Sequence, residues 1–378
     1  MGNFLSDSYT TPTPSRKLQT SEAVDLVDDL QIWVVNIDSI ESVDDSAPAI
    51  MALTAEERTR VKRFMFADDQ KRALLSILLQ RAMVQAHFGV GREDYELRRS
   101  KEGKPYLYPL HPTLTPGTWN FNVSHHGKYV CIAAHSHLLI GADIVDVTPK
   151  PRPGQATPGA EFFSLFESQL TKGEMGTILA QRGGKAQLAM FHLFWSLKEA
   201  FIKAIGQGLG YVLQEVEFCV QFERGLTLGA ALACPQECLR GSASVRVKGL
   251  LRDDWGMHFV CVDGQHVVSI AKGPLSDALP SSQPWNTVIA AGNSGGVGVG
   301  NSPARGTVGG EGGWFGGPGG PGQSGKTGRG GLGVGESGGW GEGLGGLGSS
   351  GADALRSMVQ APLPQAQVKT FADLFHIN

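Results

Sequence analysis

Several large functional classes are set aside by what this chain has little of. No apolar run approaches the length of a membrane-crossing helix, so no membrane span is expected. Neither sign of charge dominates: 33 Lys plus Arg stand against 36 Asp plus Glu, for a net charge of −3. A nucleic-acid binder would need a concentrated basic face, so that class is excluded and any recognition of phosphate must come from a few placed residues. The five cysteines (Cys131, Cys219, Cys234, Cys238, Cys261) are an odd number without framework spacing. Cys234 and Cys238 do not form a CxxC and have no second pair to complete a zinc site. Reduced thiols in a cytosolic protein are the expectation. The N-terminal stretch lacks the apolar core of a secretory signal, although Met1-Gly2-Asn3-Phe4-Leu5-Ser6 fits the short myristoylation pattern.

What remains is a chain of 378 residues, 41% hydrophobic and 18% charged, long enough for one large or two modest globular domains. A polar lead-in is expected over residues 1–28. Leu30 to Ile37 then reads as a strand, being rich in β-branched and aromatic residues. Thr54-Ala55-Glu56-Glu57 has the form of a capping box opening a short helix. The pattern predicts a long helix from Asp69 to Phe88, with an apolar stripe of Leu74, Leu75, Leu78, Leu79, Ala82, Met83 and Ala86. Strands are predicted at Trp119–Ser124, Tyr129–Ala134 and Leu138–Val147, and Pro-rich residues 148–160 read as a linker. Beyond it the plan repeats. A second capping box at Thr171-Lys172-Gly173-Glu174 precedes a long helix from Gln187 to Ile205, then strands at Val216–Phe222, Ser244–Val247, His258–Val262 and Val267–Ala271. The expected architecture is α/β (α+β), a pseudo-duplicated pair of halves over 29–147 and 161–275 with the active site between them. Residues 276–360 form a Gly-rich segment expected to be disordered, more than half of the 52 glycines lying between Gly292 and Gly351. Residues 361–378 regain apolar character and read as a docking helix or a partner-binding peptide.

Gly320-Pro321-Gly322-Gln323-Ser324-Gly325-Lys326-Thr327 matches the nucleotide-binding P-loop letter for letter. That loop needs a preceding strand and a following helix to aim its amides at phosphate, and here both flanks are more glycine. It is read as a chance match.

Three other segments carry more information. In Trp195-Ser196-Leu197-Lys198-Glu199-Ala200-Phe201-Ile202-Lys203, helical spacing puts Trp195, Glu199 and Lys203 on one stripe. Taken alone, Glu199 and Lys203 are an ordinary i, i+4 pair. Asp143 sits inside the apolar strand Leu138 to Val147, where a carboxylate is costly unless paired or bound to a cation. It reads equally as a buried structural acid or a metal ligand, with Gly141 beside it leaving room for a ligand. Asn122-Val123-Ser124-His125 ends a strand in polar groups, and no nucleophile elbow surrounds Ser124.

Together, and in this order, the three segments resemble the phosphopantetheinyl transferase superfamily. The resemblance is to its longer Sfp-type branch, and within that to the eukaryotic enzymes associated with aminoadipate-semialdehyde dehydrogenase. It covers roughly residues 30 to 275. It implies transfer of the 4′-phosphopantetheine of coenzyme A to a serine of an apo acyl or peptidyl carrier protein, with release of 3′,5′-ADP. Asp143 and Glu199 would hold Mg²⁺ against the pyrophosphate. Glu199, directly or through water, would take the serine proton, and Lys203 would reach a phosphate. The same resemblance implies coenzyme A contacts from Arg60, from the basic loop Arg99, Ser100, Lys101, Glu102, Gly103 and Lys104, and from Asn122, Val123, Ser124 and His125. Many members carry a second acid two residues after the strand Asp. Here Val145 stands in that place, with water expected to complete the coordination, and Asp146 faces the other way. A cytosolic monomer working on carrier proteins is the expectation. The competing reading, an inactive scaffold that binds coenzyme A or carriers, would be signalled by loss of Asp143, Glu199 or Lys203, and all three are present.

Overall fold

The computed structural model describes residues 29–44, 47–148, 160–223, 228–233, 239–279, 357–358, 360 and 367–369. The lead-in, most of the Pro-rich linker, Cys234 and Cys238, the Gly-rich stretch with its P-loop match, and residues 370–378 lie outside the described residues.

One plan is laid down twice. The first pass runs β1 (Gln31–Asn36), α1 (Ala47–Met51), α2 (Ala55–Lys62), α3 (Ala67–Phe88), β2 (Tyr95–Arg99), β3 (Pro105–Pro109), β4 (Asn120–His126), β5 (Tyr129–His135) and β6 (Leu139–Asp146). The second runs α4 (Ala160–Ser164), α5 (Lys172–Leu179), α6 (Gly184–Ile205), β7 (Val216–Phe222), α7 (Leu228–Ala233), β8 (Arg240–Val247), β9 (Leu250–Leu251), β10 (Gly256–Cys261) and β11 (His266–Gly273). A short β12 (Gln367–Lys369) follows.

The repeat is visible atom by atom. Both capping boxes form: the Thr54 and Thr171 hydroxyls accept the amides of Glu57 and Glu174 at 3.1 and 3.2 Å. Each glutamate returns to accept its threonine's N–H, at 2.8 and 2.9 Å. Each also binds a cation on the following long helix, Glu57 to Arg81 at 2.6 Å and Glu174 to Lys198 at 2.9 Å. The long helices stop at Gly89 and Gly206, both left-handed with φ of 65° and 77°, a conformation that favours glycine. The interval is constant, since 174 − 57, 198 − 81 and 206 − 89 all equal 117.

The strands form two principal sheets. One has the order β12-β1-β5-β4; the other is β6-β11-β10-β8-β7, with β9 pairing the end of β8 at Arg246 and Val247. Strand alternation gives each sheet two buried faces. Trp33, Val35, Val130 and Ile132 pack under α3 with Leu74, Leu75, Leu78 and Leu79. Ile32, Val34, Cys131 and Ala133 turn the other way and meet Ile140, Ala142, Ile144, Val268 and Ile270 of the second sheet. The opposite face of that sheet packs under α6. The layers therefore run helix, sheet, sheet, helix. Ala86, expected on the stripe of α3, is exposed in the last turn before Gly89, while Ile77 and Val84 join the buried set.

Two differences from the sequence reading matter for function. First, β6, which the sequence places at the end of the first half, pairs antiparallel with β11 and is the edge strand of the second sheet. Its other edge faces β4 without strand pairing. Instead, alternate side chains of β4 accept its backbone N–H groups: Asn120 from Ile140 (3.0 Å), Asn122 from Ala142 (3.0 Å), Ser124 from Ile144 (3.3 Å) and His126 from Asp146 (2.9 Å). Second, the space at Gly141 is not open to a ligand. A Cβ there would lie 1.9 Å from the Ala200 carbonyl oxygen and 2.5 Å from the Ala204 nitrogen, so the missing side chain is what lets α6 lie on β6.

The C-terminal residues also reach the body. Lys272 donates to the Met358 carbonyl at 2.7 Å, and Gln360 donates to the carbonyls of Asp253 and Trp255. Strand β12 pairs parallel with β1, so residues 367–369 dock as a strand, while the rest of the segment considered as a docking helix lies outside the described residues.

Two stability predictions follow from burial. The Lys198 and Glu174 side chains are 1% and 0% exposed, against 16% and 20% for Arg81 and Glu57. Glu174→Gln leaves an unbalanced buried ammonium and should cost about 3–5 kcal/mol. Glu57→Gln at the matching, wetter site should cost about 1 kcal/mol. Urea unfolding of both variants checks this, and equal losses would show that burial does not set the cost. Gly141→Ala should lose about 3 kcal/mol in the same assay, because backbone rather than a flexible side chain stands in the way. A loss within error of zero would mean that α6 is not seated as described.

Candidate active site

The site lies where β4, β6 and α6 meet. Alternation along β6 sends Ile140, Ala142 and Ile144 into the core between the sheets. Asp143 is thereby turned toward α6, which presents Glu199 and Lys203 one turn apart on the same stripe. The β4 ladder sets Ser124 level with this group. Asp143 Oδ1 accepts Lys203 Nζ at 2.6 Å and the Ser124 hydroxyl at 2.9 Å, and Lys203 Nζ also lies 3.1 Å from Ser124 Oγ. The three sequence segments, separated by up to 79 residues, thus share one hydrogen-bonded centre.

Its electrostatics are those of two acids and one cation in a dry setting. Burial raises the Glu199 carboxyl above its ordinary value, with Lys203 opposing and Asp143 adding to the rise. Burial works against the Lys203 ammonium, but Asp143 and Glu199 outweigh it and hold its pKa above that of a free lysine. Val145 is buried in the core beneath α6, so its place offers no oxygen to a cation. Asp146 accepts the N–H of Thr148 at 2.8 Å and is spent on that turn.

A cavity opens from this centre toward the first half, lined by Arg99, Gly103, Lys104, Asn122, Val123, Ser124, His125 and Lys203. These are eight of the residues for which the family resemblance implies coenzyme A contacts. Ser76, Gln80 and Pro105 complete the wall. Ser76 and Gln80, from α3, were missed by sequence reasoning. The available signal was two polar residues set among the apolar positions of a long helix. Both spend their donors on their own helix, Ser76 on the Arg72 carbonyl and Gln80 on the Ser76 carbonyl, at 2.7 Å each.

The remaining expected residues sit around the rim. Arg60 is outside the lining but close enough to Arg99 to depress the latter's pKa, after burial as the main cause. Among the described residues neither arginine has a carboxylate partner; Arg99 donates only to the Gly103 carbonyl at 2.9 Å. Lys101 is exposed at the hairpin tip, Glu102 is half-buried beside it, and Ser100 Oγ accepts the Lys104 amide. Burial, aided by Arg72 and Lys203, pushes His125 down to about 3, so its ring is neutral. Lys198, part of the recognised helix motif, is no part of the cavity. Besides Glu174 its ammonium binds the Leu213 and Val216 carbonyls at 2.9 and 2.6 Å, anchoring α6 from behind.

Comparison with known proteins agrees with this division. Residues 42–137 match the family model described as 4′-phosphopantetheinyl transferase, N-terminal, and residues 139–255 match the 4′-phosphopantetheinyl transferase superfamily. The break between the two falls just before β6, the strand that the structure assigns to the second sheet. The chain is 35% identical over 204 residues to a phosphopantetheinyl transferase of Thraustochytrium sp., covering 53% of this chain and 68% of that protein. It is 34% identical over 232 residues to the L-aminoadipate-semialdehyde dehydrogenase-phosphopantetheinyl transferase of Xenopus laevis, covering 61% and 70%. The enzyme of that name from Schizosaccharomyces pombe is 31% identical over 174 residues, covering 43% and 62%. With both halves matched and the polar centre formed between them, the chain belongs to the 4′-phosphopantetheinyl transferase superfamily and transfers phosphopantetheine to carrier proteins.

Proposed function

We propose that the chain is a Mg²⁺-dependent transferase that draws phosphopantetheine from coenzyme A and delivers it to a serine of an apo acyl or peptidyl carrier. The observation that carries this reading is the cluster of Asp143, Glu199 and Lys203, from which Lys203 enters the wall of a cavity that Arg99 also lines. The similarity to aminoadipate-semialdehyde dehydrogenase transferases favours a carrier domain of that kind, a role in lysine metabolism and a cytosolic setting. Among the described residues no helix is long and apolar enough to cross a membrane, and Cys131, Cys219 and Cys261 are free thiols.

The donor set suits Mg²⁺. Asp143 and Glu199 offer hard carboxylate oxygens, each feels the other's charge, and Lys203 offsets only one of the two negative charges. Among the described residues no cluster of three or more metal-binding side chains exists, so the remaining ligands would be water and substrate phosphate, as this ion readily accepts. Mg²⁺ held there supplies neutralisation of the charge that develops on the pyrophosphate oxygens.

The chain's own residues do the rest. Arg60, Arg99, Lys101 and His125 hold the phosphates of the nucleotide at the cationic end of the cavity. Asn122, Val123 and Ser124 form its floor, with Ser124 also orienting Asp143. Glu199, a stronger base for its burial, accepts the proton of the carrier serine directly or through one water. The serine oxygen forms its bond to the β-phosphorus as the bond from that phosphorus to the leaving oxygen of 3′,5′-ADP breaks. Lys203 stabilises the charge on the transferring group.

Incubation with coenzyme A and a panel of apo-carriers, read by intact mass, tests the reaction; no mass gain on any carrier refutes it. Glu199→Gln should cut turnover by about a hundredfold or more while leaving the circular dichroism spectrum unchanged. Near-normal turnover in that variant would remove Glu199 from the chemistry. Arg60→Ala and Arg99→Ala should each weaken coenzyme A binding by roughly tenfold to a hundredfold, with saturated turnover within a few-fold of normal. Calorimetry checks the first number and steady-state kinetics the second; unchanged affinity in both variants would move the nucleotide elsewhere.

A further inference from the structure

Lys104 is expected from sequence to reach a phosphate, yet its ammonium is already spoken for. The residue follows Gly103, whose φ of 94° makes the tight turn between β2 and β3. The tip is closed by Ser100, which donates its amide to the Lys104 carbonyl at 2.9 Å and accepts the Lys104 amide on its hydroxyl at 3.2 Å. From this fixed base the side chain, 6% exposed, crosses to the second half. Its Nζ donates to the Ala204 carbonyl at 2.6 Å and to the Ile140 carbonyl at 3.3 Å.

Both acceptors belong to elements that carry the polar centre. Ala204 lies in the last turn of α6, where carbonyls lack helical partners and the helix dipole favours a cation. It adjoins Lys203 in sequence and follows Glu199 by little more than a turn. Ile140 is on the edge of β6 and directs its N–H to Asn120, so Lys104 satisfies the other polar group of that residue. Among the described residues no carboxylate is paired with Lys104, and burial pushes it down to about 7. An amino group held in so dry a place, donating to two backbone oxygens, is serving the joint between the elements.

We propose that Lys104 is a positioning residue of the transfer reaction: it pins the C-terminal turn of α6 to β6 and to the hairpin tip, and so fixes Glu199 and Lys203. Lys104 lines the cavity, but its Nζ is turned to the two backbone carbonyls. The inference rests on the transferase reading of the site. Misplacing reacting groups by about an ångström can cost a hundredfold in rate, whereas losing a phosphate contact weakens binding instead.

The two roles separate cleanly in measurement. Lys104→Met keeps the stem and removes the donors. It should lower kcat by about tenfold or more while the calorimetric Kd for coenzyme A stays within about threefold of the parent. A Kd raised tenfold with kcat retained, or neither constant changed, overturns the proposal. A readout on the unaltered protein covers the case in which the variant does not fold. Acetylation by an N-hydroxysuccinimide ester, followed peptide by peptide in the mass spectrometer, should be slow at Lys104 with or without coenzyme A and fast at exposed Lys101 in the free protein. Labelling of Lys104 as fast as Lys101, and blocked by coenzyme A, would show a free ammonium waiting for phosphate and would overturn it. A protein that bound no coenzyme A at all would refute the transferase reading itself, an outcome distinct from a kinetic split of the wrong sign.

Discussion

Four N–H groups along the open edge of β6 have no strand to receive them, and the side chains of Asn120, Asn122, Ser124 and His126 take that part. An unpaired buried amide costs about 1–3 kcal/mol, so this ladder is a strong constraint on how the two sheets meet. It also fixes register. Each acceptor lies 20 residues before its donor, so β4 and β6 run parallel and cannot slip by one without losing every contact. That register is why Ser124 stands level with Asp143, and why the cavity wall from the first half meets Asp143 and Lys203 of the second. The site is a by-product of how an edge strand was satisfied.

The duplicated frame and the unduplicated chemistry are separable. Capping glutamate, its cation on the long helix and the stopping glycine all recur at one interval. Carried back by the same interval, Glu199 and Lys203 correspond to Ala82 and Ala86 of α3. Ala82 is packed in the core and Ala86 is exposed, so the first half retains the scaffold without an acid or an amine at those places. It contributes instead the polar strand β4 and the cationic hairpin. One half carries the Asp143, Glu199 and Lys203 cluster and the other most of the cavity wall, on two copies of one framework.

Much of this was legible in the sequence because its causes are local. The capping boxes at Thr54 and Thr171, the long helices and strand β7 depend on residues within a few positions of each other. The boxes and β7 form as read, and the long helices begin at Ala67 and Gly184, slightly before the expected starts. The three polar segments were legible through their motifs, and they do converge. What could not be read is set by distant partners. Strand β3 of the β2–β3 hairpin begins at Pro105 and ends at Pro109, which hide strand character. The sheet to which β6 belongs depends on pairing with residues more than a hundred positions away. Gly141 suggested room for a ligand because sequence shows the missing side chain but not the helix that fills the space. Lys104 reads as a coenzyme A contact for the same reason: its acceptors are backbone carbonyls, which carry no letter of their own.

Strand β12 raises a matter of timing. It covers the edge of β1 with residues that lie more than 330 positions further along the chain. The partner of β1 on its other edge, β5, is made early, so the first sheet can assemble during synthesis while its outer edge stays bare. That edge remains a template for any other extended segment until residue 367 has left the ribosome, which is the interval in which a nascent sheet is most open to mispairing. Of the β1 residues that β12 later pairs with, Val34 and Val35 are wholly buried in the finished protein. A chain cut short after β11 would keep every residue of the reactive centre and lose the strand that protects this edge, so its first failing would be expected in solubility before catalysis.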